Sequence, residues 1–117
     1  MQERMKKYKL HYAAEAQRDM DDIWDYIMSE LHNPSAAERV VNGIMDAADQ
    51  LEDFPEMGAM LASVADVETD YRFLVCGNYL AFYRISDDNI YVDRVLYGRR
   101  DYLHVLFGDT VKEETTE

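Results

Sequence analysis

One cysteine, two prolines, five glycines and three histidines are spread over 117 residues, and each scarcity removes a class of protein. A single thiol, Cys76, excludes a disulfide framework within the chain and fits a reducing compartment. His11, His32 and His104 stand at no recognisable spacing to it, so Cys76 reads as a small core hydrophobe rather than a nucleophile. No apolar run approaches the length of a membrane span, and the opening MQERMKKYKL has no hydrophobic signal core. Together these predict a cytoplasmic protein with no membrane partner. Positive charge is scarce too: 12 lysines and arginines face 24 acidic residues, for a net charge of −12. So acidic a chain is no simple nucleic-acid binder, because phosphate contacts dominate such affinity. A protein partner with a basic segment is the easier expectation.

The positive charge that exists is gathered in one place. Between residues 72 and 100 lie Arg72, Arg84, Arg94, Arg99 and Arg100 against Asp87, Asp88 and Asp93. Five against three gives +2 there and leaves −14 for the rest of the chain. Arginine suits planar, bidentate contact with phosphate or carboxylate. These side chains therefore either form a functional basic cluster or pair with the acidic helices.

They lie on a stretch that reads as a β-meander. Tyr71–Cys76, Tyr79–Ile85 and Ile90–Tyr97 are rich in Tyr, Phe, Val, Leu and Ile, which suit a half-buried pleated surface. Gly77-Asn78 and Ser86–Asn89 supply the turns. Two-residue closure at Gly77-Asn78 sets Cys76 opposite Tyr79 and Arg72 opposite Tyr83, and the next loop sets Ile85 opposite Ile90 and Tyr83 opposite Val92. On this register Arg72, Tyr83 and Arg94 share one face. Phe73, Val75, Leu80, Phe82 and Val95 take the other, expected to meet the helices.

Upstream, Lys6–Tyr12 alternates as an opening strand at a sheet edge or beside the last strand. From Ala13 to Leu31 the period turns helical, with Met20, Ile23, Trp24, Ile27, Met28 and Leu31 as the apolar stripe. Glu15, Asp19, Asp21, Asp22, Asp25 and Glu30 fill the opposite face. Asp21 and Asp22 read as solvated, since no histidine, Gly-rich loop or third carboxylate completes a metal or acid/base site. No metal and no cofactor is expected. Asn33-Pro34 ends this helix, and Ser35-Ala36-Ala37-Glu38 fits a capping box for the second. Ala37, Val40, Val41, Ile44, Ala48 and Leu51 form the second stripe, implying an antiparallel αα-hairpin. Phe54 is expected to plug the core, with Pro55 and Gly58 turning the chain. Met60–Asp70 reads as a loop with a short strand or helical turn, Leu103–Phe107 as an apolar segment that packs back or docks a partner. The division is one domain over 1–108 and an acidic disordered tail over 109–117.

These motifs in this order carry a family likeness. L-x-x-F-P-x-x-G (Leu51 to Gly58), Y-R-x-L…N-Y-x-x-F-Y-R-I (Tyr71 to Ile85) and R-V-L-Y-G-R-R-D-Y (Arg94 to Tyr102) resemble the RelE/ParE toxins of type II toxin–antitoxin modules, also called plasmid stabilisation proteins. The resemblance covers roughly Tyr8 to Phe107. It implies an α+β fold: an N-terminal strand, an antiparallel αα-hairpin, then a three-stranded antiparallel meander forming a curved sheet packed on the helices. It also implies a growth-inhibiting toxin neutralised by a cognate antitoxin in a hetero-oligomer. ParE-like members inhibit DNA gyrase. RelE-like members cleave mRNA at the ribosome, through a positively charged pocket that stabilises the charge developing on phosphate. By this resemblance Arg99 and Arg100 match the basic pair after the last strand's glycine, and Tyr83 the strand tyrosine. With Arg72 and Arg94 they make the candidate catalytic cluster. Two positions depart: Leu80 stands where nucleases carry an arginine, and Leu106 where they carry a C-terminal tyrosine. That favours a ParE-like toxin or one with another target. The alternatives are a ribosome-dependent endoribonuclease and a degenerate, non-toxic binding module.

Overall fold

Helix α1 (Ala14–Leu31) and helix α2 (Pro34–Asp49) form the expected hairpin. α1 ends at His32, whose left-handed backbone (φ 49°) lets its amide close on the Met28 carbonyl. α2 starts differently from the expected capping box. Asn33, extended because a proline follows it, is the cap, and its Oδ1 accepts from the Ala36 amide at 3.1 Å. Pro34 then occupies the first helical position, where its missing N–H costs nothing. The computed structural model describes residues 7–108, so the lead-in, Lys6 and the predicted tail at 109–117 lie outside the described residues.

Five strands follow the order β1-β5-β4-β3-β2: β1 is Lys9–Tyr12, β2 Ala59–Met60, β3 Arg72–Cys76, β4 Tyr79–Ser86 and β5 Asn89–Tyr97. β1 lies parallel to β5 at one edge, and β2 closes the other. β3, β4 and β5 are the expected meander, with Arg72 opposite Tyr83, Cys76 opposite Tyr79 and Ile85 opposite Ile90. Gly77 (φ 63°) and Asp87 (φ 55°) supply the left-handed residues of the two hairpin turns. Met60–Asp70 begins with the last residue of β2 and contains a 3-10 turn at Leu61–Ser63.

The stated pairings are as expected and the faces are exchanged, except that Val95 meets the helices as expected and Val75 is exposed to solvent. Leu74, Ala81, Tyr83, Ile90, Val92 and Val95 meet the helical hairpin, packed with Ala16, Ile23, Ile27, Ala37, Ile44 and Ala48. Phe73, Leu80, Phe82 and Leu96 face the other way, where a short helix α3 (Tyr102–Phe107) and Leu61 cover them. Both faces of the sheet are therefore buried, and strands buried on both sides lose the alternation that tells inside from outside. A bulge sharpens the difference. Phe82 pairs with Arg94 but Tyr83 pairs with Val92, leaving Asp93 as the extra residue. Val92 and Val95 consequently point to the same side. Phe54 does not plug the core: it is 63% exposed, and Leu51 fills the position beneath α2 instead.

Candidate functional site

The L-x-x-F-P-x-x-G motif is a loop fastened from below by β3 and β4. Tyr83, fully buried, donates its phenol proton to the Pro55 carbonyl at 2.8 Å and accepts the Gly58 amide at 2.9 Å. Arg72, directly across from it, donates Nη1 to the carbonyls of Gly58 (2.8 Å) and Glu56 (3.3 Å). A side-chain carbon at Gly58 would sit 2.6 Å from the Phe73 carbonyl and 2.7 Å from the Tyr83 hydroxyl, so only glycine lets the loop approach this closely. Burial pushes the Tyr83 phenol up, opposed by the Gly58 amide and Arg72. Both hydrogen-bonding roles of that hydroxyl are used inside the protein.

Arg94 is engaged elsewhere. Its Nε and Nη2 grip Asp19 of α1 at 2.8 and 3.0 Å, and the same carboxylate accepts the Val95 amide at 2.9 Å. β1 pairs with β5 only as far as Val92. Asp19 then takes over the uncovered strand edge, and Arg94, aimed off the strand beside the bulge, neutralises it. The bond to Asp19 raises the Arg94 guanidinium above its ordinary value. Sequence reasoning put Asp19 on the solvated face, yet it is buried. The signal was present: Asp19 falls between Ala16 and Ile23 at helical spacing, inside the apolar stripe. Arg84 is tied to Asp93 at 2.8 Å, and Tyr71 donates to the same carboxylate at 2.9 Å. Arg84 also lies 4.7 Å over the Tyr91 ring, which stacks on His11.

Arg99 and Arg100 are different. Both are exposed, and neither side chain hydrogen-bonds or ion-pairs with a described residue. Arg100 lines a cleft of about 140 Å³ with Asp19, Asp22, Tyr26, Tyr79 and Tyr97. Tyr26, Tyr79 and Tyr97 continue into a cavity of about 590 Å³ that adds Ile27, Leu31, Val40 and Asn78. Past Val40, Asn78 and Tyr79 lies a third hollow of about 280 Å³, bounded by Arg39, Gly43 and the Gly77 turn. The result is one groove between the helical hairpin and the β3–β4 turn. Its floor is aromatic and aliphatic, and at each end stands a guanidinium without a partner among the described residues, Arg39 at one and Arg100 at the other. Tyr26 and Leu31 are 59% and 60% exposed there. Desolvation raises the Tyr79 phenol, with Tyr26 and Tyr97 adding to it. Gly43 has open space where a side chain would sit, so the groove floor stays low at that point. The sequence reading missed Arg39 and the Tyr26–Tyr79–Tyr97 set, because four separate elements supply them.

The five candidate residues thus fall in three places: Arg72 and Tyr83 under the Phe54–Gly58 loop, Arg94 against α1, and Arg99 with Arg100 at the groove. Leu80 and Leu106, at the two departures from the nuclease pattern, pack in one apolar cluster around Phe82 and Leu96. Among the described residues no group of three or more His, Cys, Asp or Glu side chains is placed to hold a metal ion, and no helix is long and apolar enough to cross a membrane.

Residues 10–102 match the family described as ParE toxin of type II toxin-antitoxin system, parDE. The chain belongs to this ParE toxin family. A search of curated proteins returned no match. Among solved structures, the chromosomal ParDE toxin–antitoxin system from P. aeruginosa is similar, with TM-score 0.66 and 22% identity over 78% of this chain and 96% of that one. The RelBE2 toxin–antitoxin complex from Mycobacterium tuberculosis aligns with TM-score 0.57 and 20% identity, over 78% of this chain and 98% of that one. The ParE-family fold accounts for the whole arrangement of strand, hairpin and meander. At these identities the neighbours speak to the fold alone.

Proposed function

We propose that this ParE-family toxin is neutralised by a cognate antitoxin in a hetero-oligomer and inhibits DNA gyrase by binding, without cleaving RNA. The observation that carries the second part is the apolar packing of Leu80 and Leu106. Where a ribonuclease needs cations and a proton-transfer group around a scissile phosphate, this chain builds a hydrophobic seat for α3. Tyr83 and Arg72 are committed to the Pro55–Gly58 loop, and Arg94 to Asp19. The antitoxin surface is the long groove, whose exposed tyrosines and leucine suit the apolar stripe of a helix. Arg39 and Arg100 at its ends suit acidic residues on that helix.

The test is controlled induction with and without the neighbouring open reading frame, combined with a gyrase supercoiling assay on purified protein. Arrest rescued by the neighbour, intact mRNA and inhibited supercoiling are expected. Codon-phased mRNA cuts would replace this with the ribonuclease reading, which Arg99 and Arg100, without a partner among the described residues, favour as phosphate contacts. Arg100→Ala would then abolish the cuts. Normal growth at confirmed expression would leave a non-toxic binding module.

A further inference from the structure

The Phe54–Gly58 loop presents two large apolar side chains to solvent while being held more firmly than an ordinary surface loop. Phe54 is 63% exposed and Met57 43%. The backbone beneath them is pinned by three buried or half-buried bonds from Tyr83 and Arg72 and closed by the Met57 amide on the Phe54 carbonyl at 3.1 Å. A flexible loop would fold such residues inward. This one fixes them outward around a shallow hollow of about 700 Å³ that Tyr8 and Pro55 also line. Association costs least when the binding surface is already ordered.

The rim decides what fits. Asp53 and Glu56 border the hollow, and neither carboxylate has a partner among the described residues. The nearby Lys7 is taken by Glu52 at 3.6 Å, so it does not neutralise them. An apolar patch with two carboxylates that no described residue pairs, on a chain of net charge −12, is complementary to hydrophobic anchors flanked by Lys or Arg. The loop follows the far end of α2, whereas the long groove is lined by Val40 and Gly43 from its first two-thirds. α2 spans about 24 Å at its usual rise, a distance that roughly eight extended residues cover.

We infer that the Phe54–Gly58 loop is a second docking surface for the antitoxin, taking a basic segment with apolar anchors, so that the antitoxin grips this chain at both ends of α2. The inference rests on the toxin–antitoxin reading. Two linked contacts make the second one intramolecular, and losing either weakens the whole complex.

The experiment is the dissociation constant of the full-length product of the neighbouring open reading frame, tested as the antitoxin, for the wild-type toxin and for two variants. Phe54→Ser with Met57→Ser removes the anchors, and Asp53→Lys with Glu56→Lys reverses the rim. All four side chains are outside the core, and a circular-dichroism melt confirms folding. Each variant is expected to bind at least tenfold more weakly, the scale of losing one interface hot spot. The lysine variant is also expected to lose part of the salt dependence seen with wild type. Binding within twofold of wild type for both variants overturns the inference. If growth arrest is then lost as well, the loop faces the target. If the free wild-type toxin is a dimer and the serine variant a monomer, it faces a second copy. Failure of the wild-type toxin to bind the antitoxin at all would instead overturn the reading on which the inference rests.

Discussion

Tyr83 shows how far one hydroxyl reaches. Tyr83→Phe keeps the buried ring but strands the Gly58 amide, which is buried away from solvent. Leaving a buried donor unpaired costs roughly 1–3 kcal/mol, so urea denaturation should show a loss of that size. Gly58→Ala should be worse, since its added carbon meets a carbonyl oxygen as well as the movable phenol. Tyr12 gives the opposite expectation. Its hydroxyl is buried without a partner among the described residues, so Tyr12→Phe should leave stability unchanged or raise it. The phenols also set an alkaline limit. Burial pushes Tyr12 to about 12, with Asp49 adding to it, and Tyr71 to about 12, with the bond to Asp93 adding to it. Folding therefore favours the protonated phenol. That stability is complete below the ordinary value of 10.0 and is lost as pH rises towards 12. Unfolding free energies across that interval should fall, and Tyr12→Phe should make the fall shallower.

At the scale of elements, the bulge at Asp93 and the carboxylate of Asp19 act together. Without the bulge Arg94 would share the face of Tyr83 and Val92 and point into the apolar cluster under the helical hairpin. With it, Arg94 reaches around to α1 and ties the first helix to the last strand. Asp19→Ala should cost roughly 3 kcal/mol, because it leaves a partly buried guanidinium and the Val95 amide uncompensated. A double-mutant cycle with Arg94→Ala should recover part of that loss, and full additivity would show the two side chains to be independent. Helix α3 is the other coupled element. Removing the chain from Tyr102 onward exposes Phe82, Leu96 and Leu61, all buried at present, so such a truncation should aggregate or melt at a much lower temperature. A truncated protein as stable as the full chain would show that α3 adds nothing to the fold.

For the whole molecule, charge is divided between surfaces. The acidic body carries −14, and the arginines that the sequence gathers on the sheet are mostly spent within it, on Asp19, on Asp93 and on loop carbonyls. Arg39, Arg99 and Arg100 are left without a partner among the described residues. Arg39→Glu with Arg100→Glu should therefore weaken antitoxin binding by tenfold or more with little change in melting temperature, measured by titration calorimetry and a thermal melt. Equal losses of stability and affinity would mean that these arginines act through the fold.

Local patterns alone determined much of this protein. Helical spacing of apolar residues placed α1 and α2. The Gly77-Asn78 turn and the Ser86–Asn89 loop fixed the pairing of β3 with β4 and of β4 with β5 as far as Val92, because a short turn leaves one pairing open to its flanking strands. The structure narrows the second turn to Asp87-Asp88, with Ser86 paired to Asn89. The order of motifs pointed to the family. Tertiary structure decided what those patterns leave open. Strands covered on both sides carry no record of which face meets which layer, so Tyr83 turned out to lie under the hairpin and Phe82 under α3. A bulge shifts every later side chain by one face, and nothing in the run Tyr91–Arg94 announces it. The groove, likewise, exists only because α1, α2 and the sheet bring Tyr26, Val40, Tyr79 and Tyr97 together. Spacing along the chain specifies elements, whereas a surface made from several of them depends on how their buried faces pack.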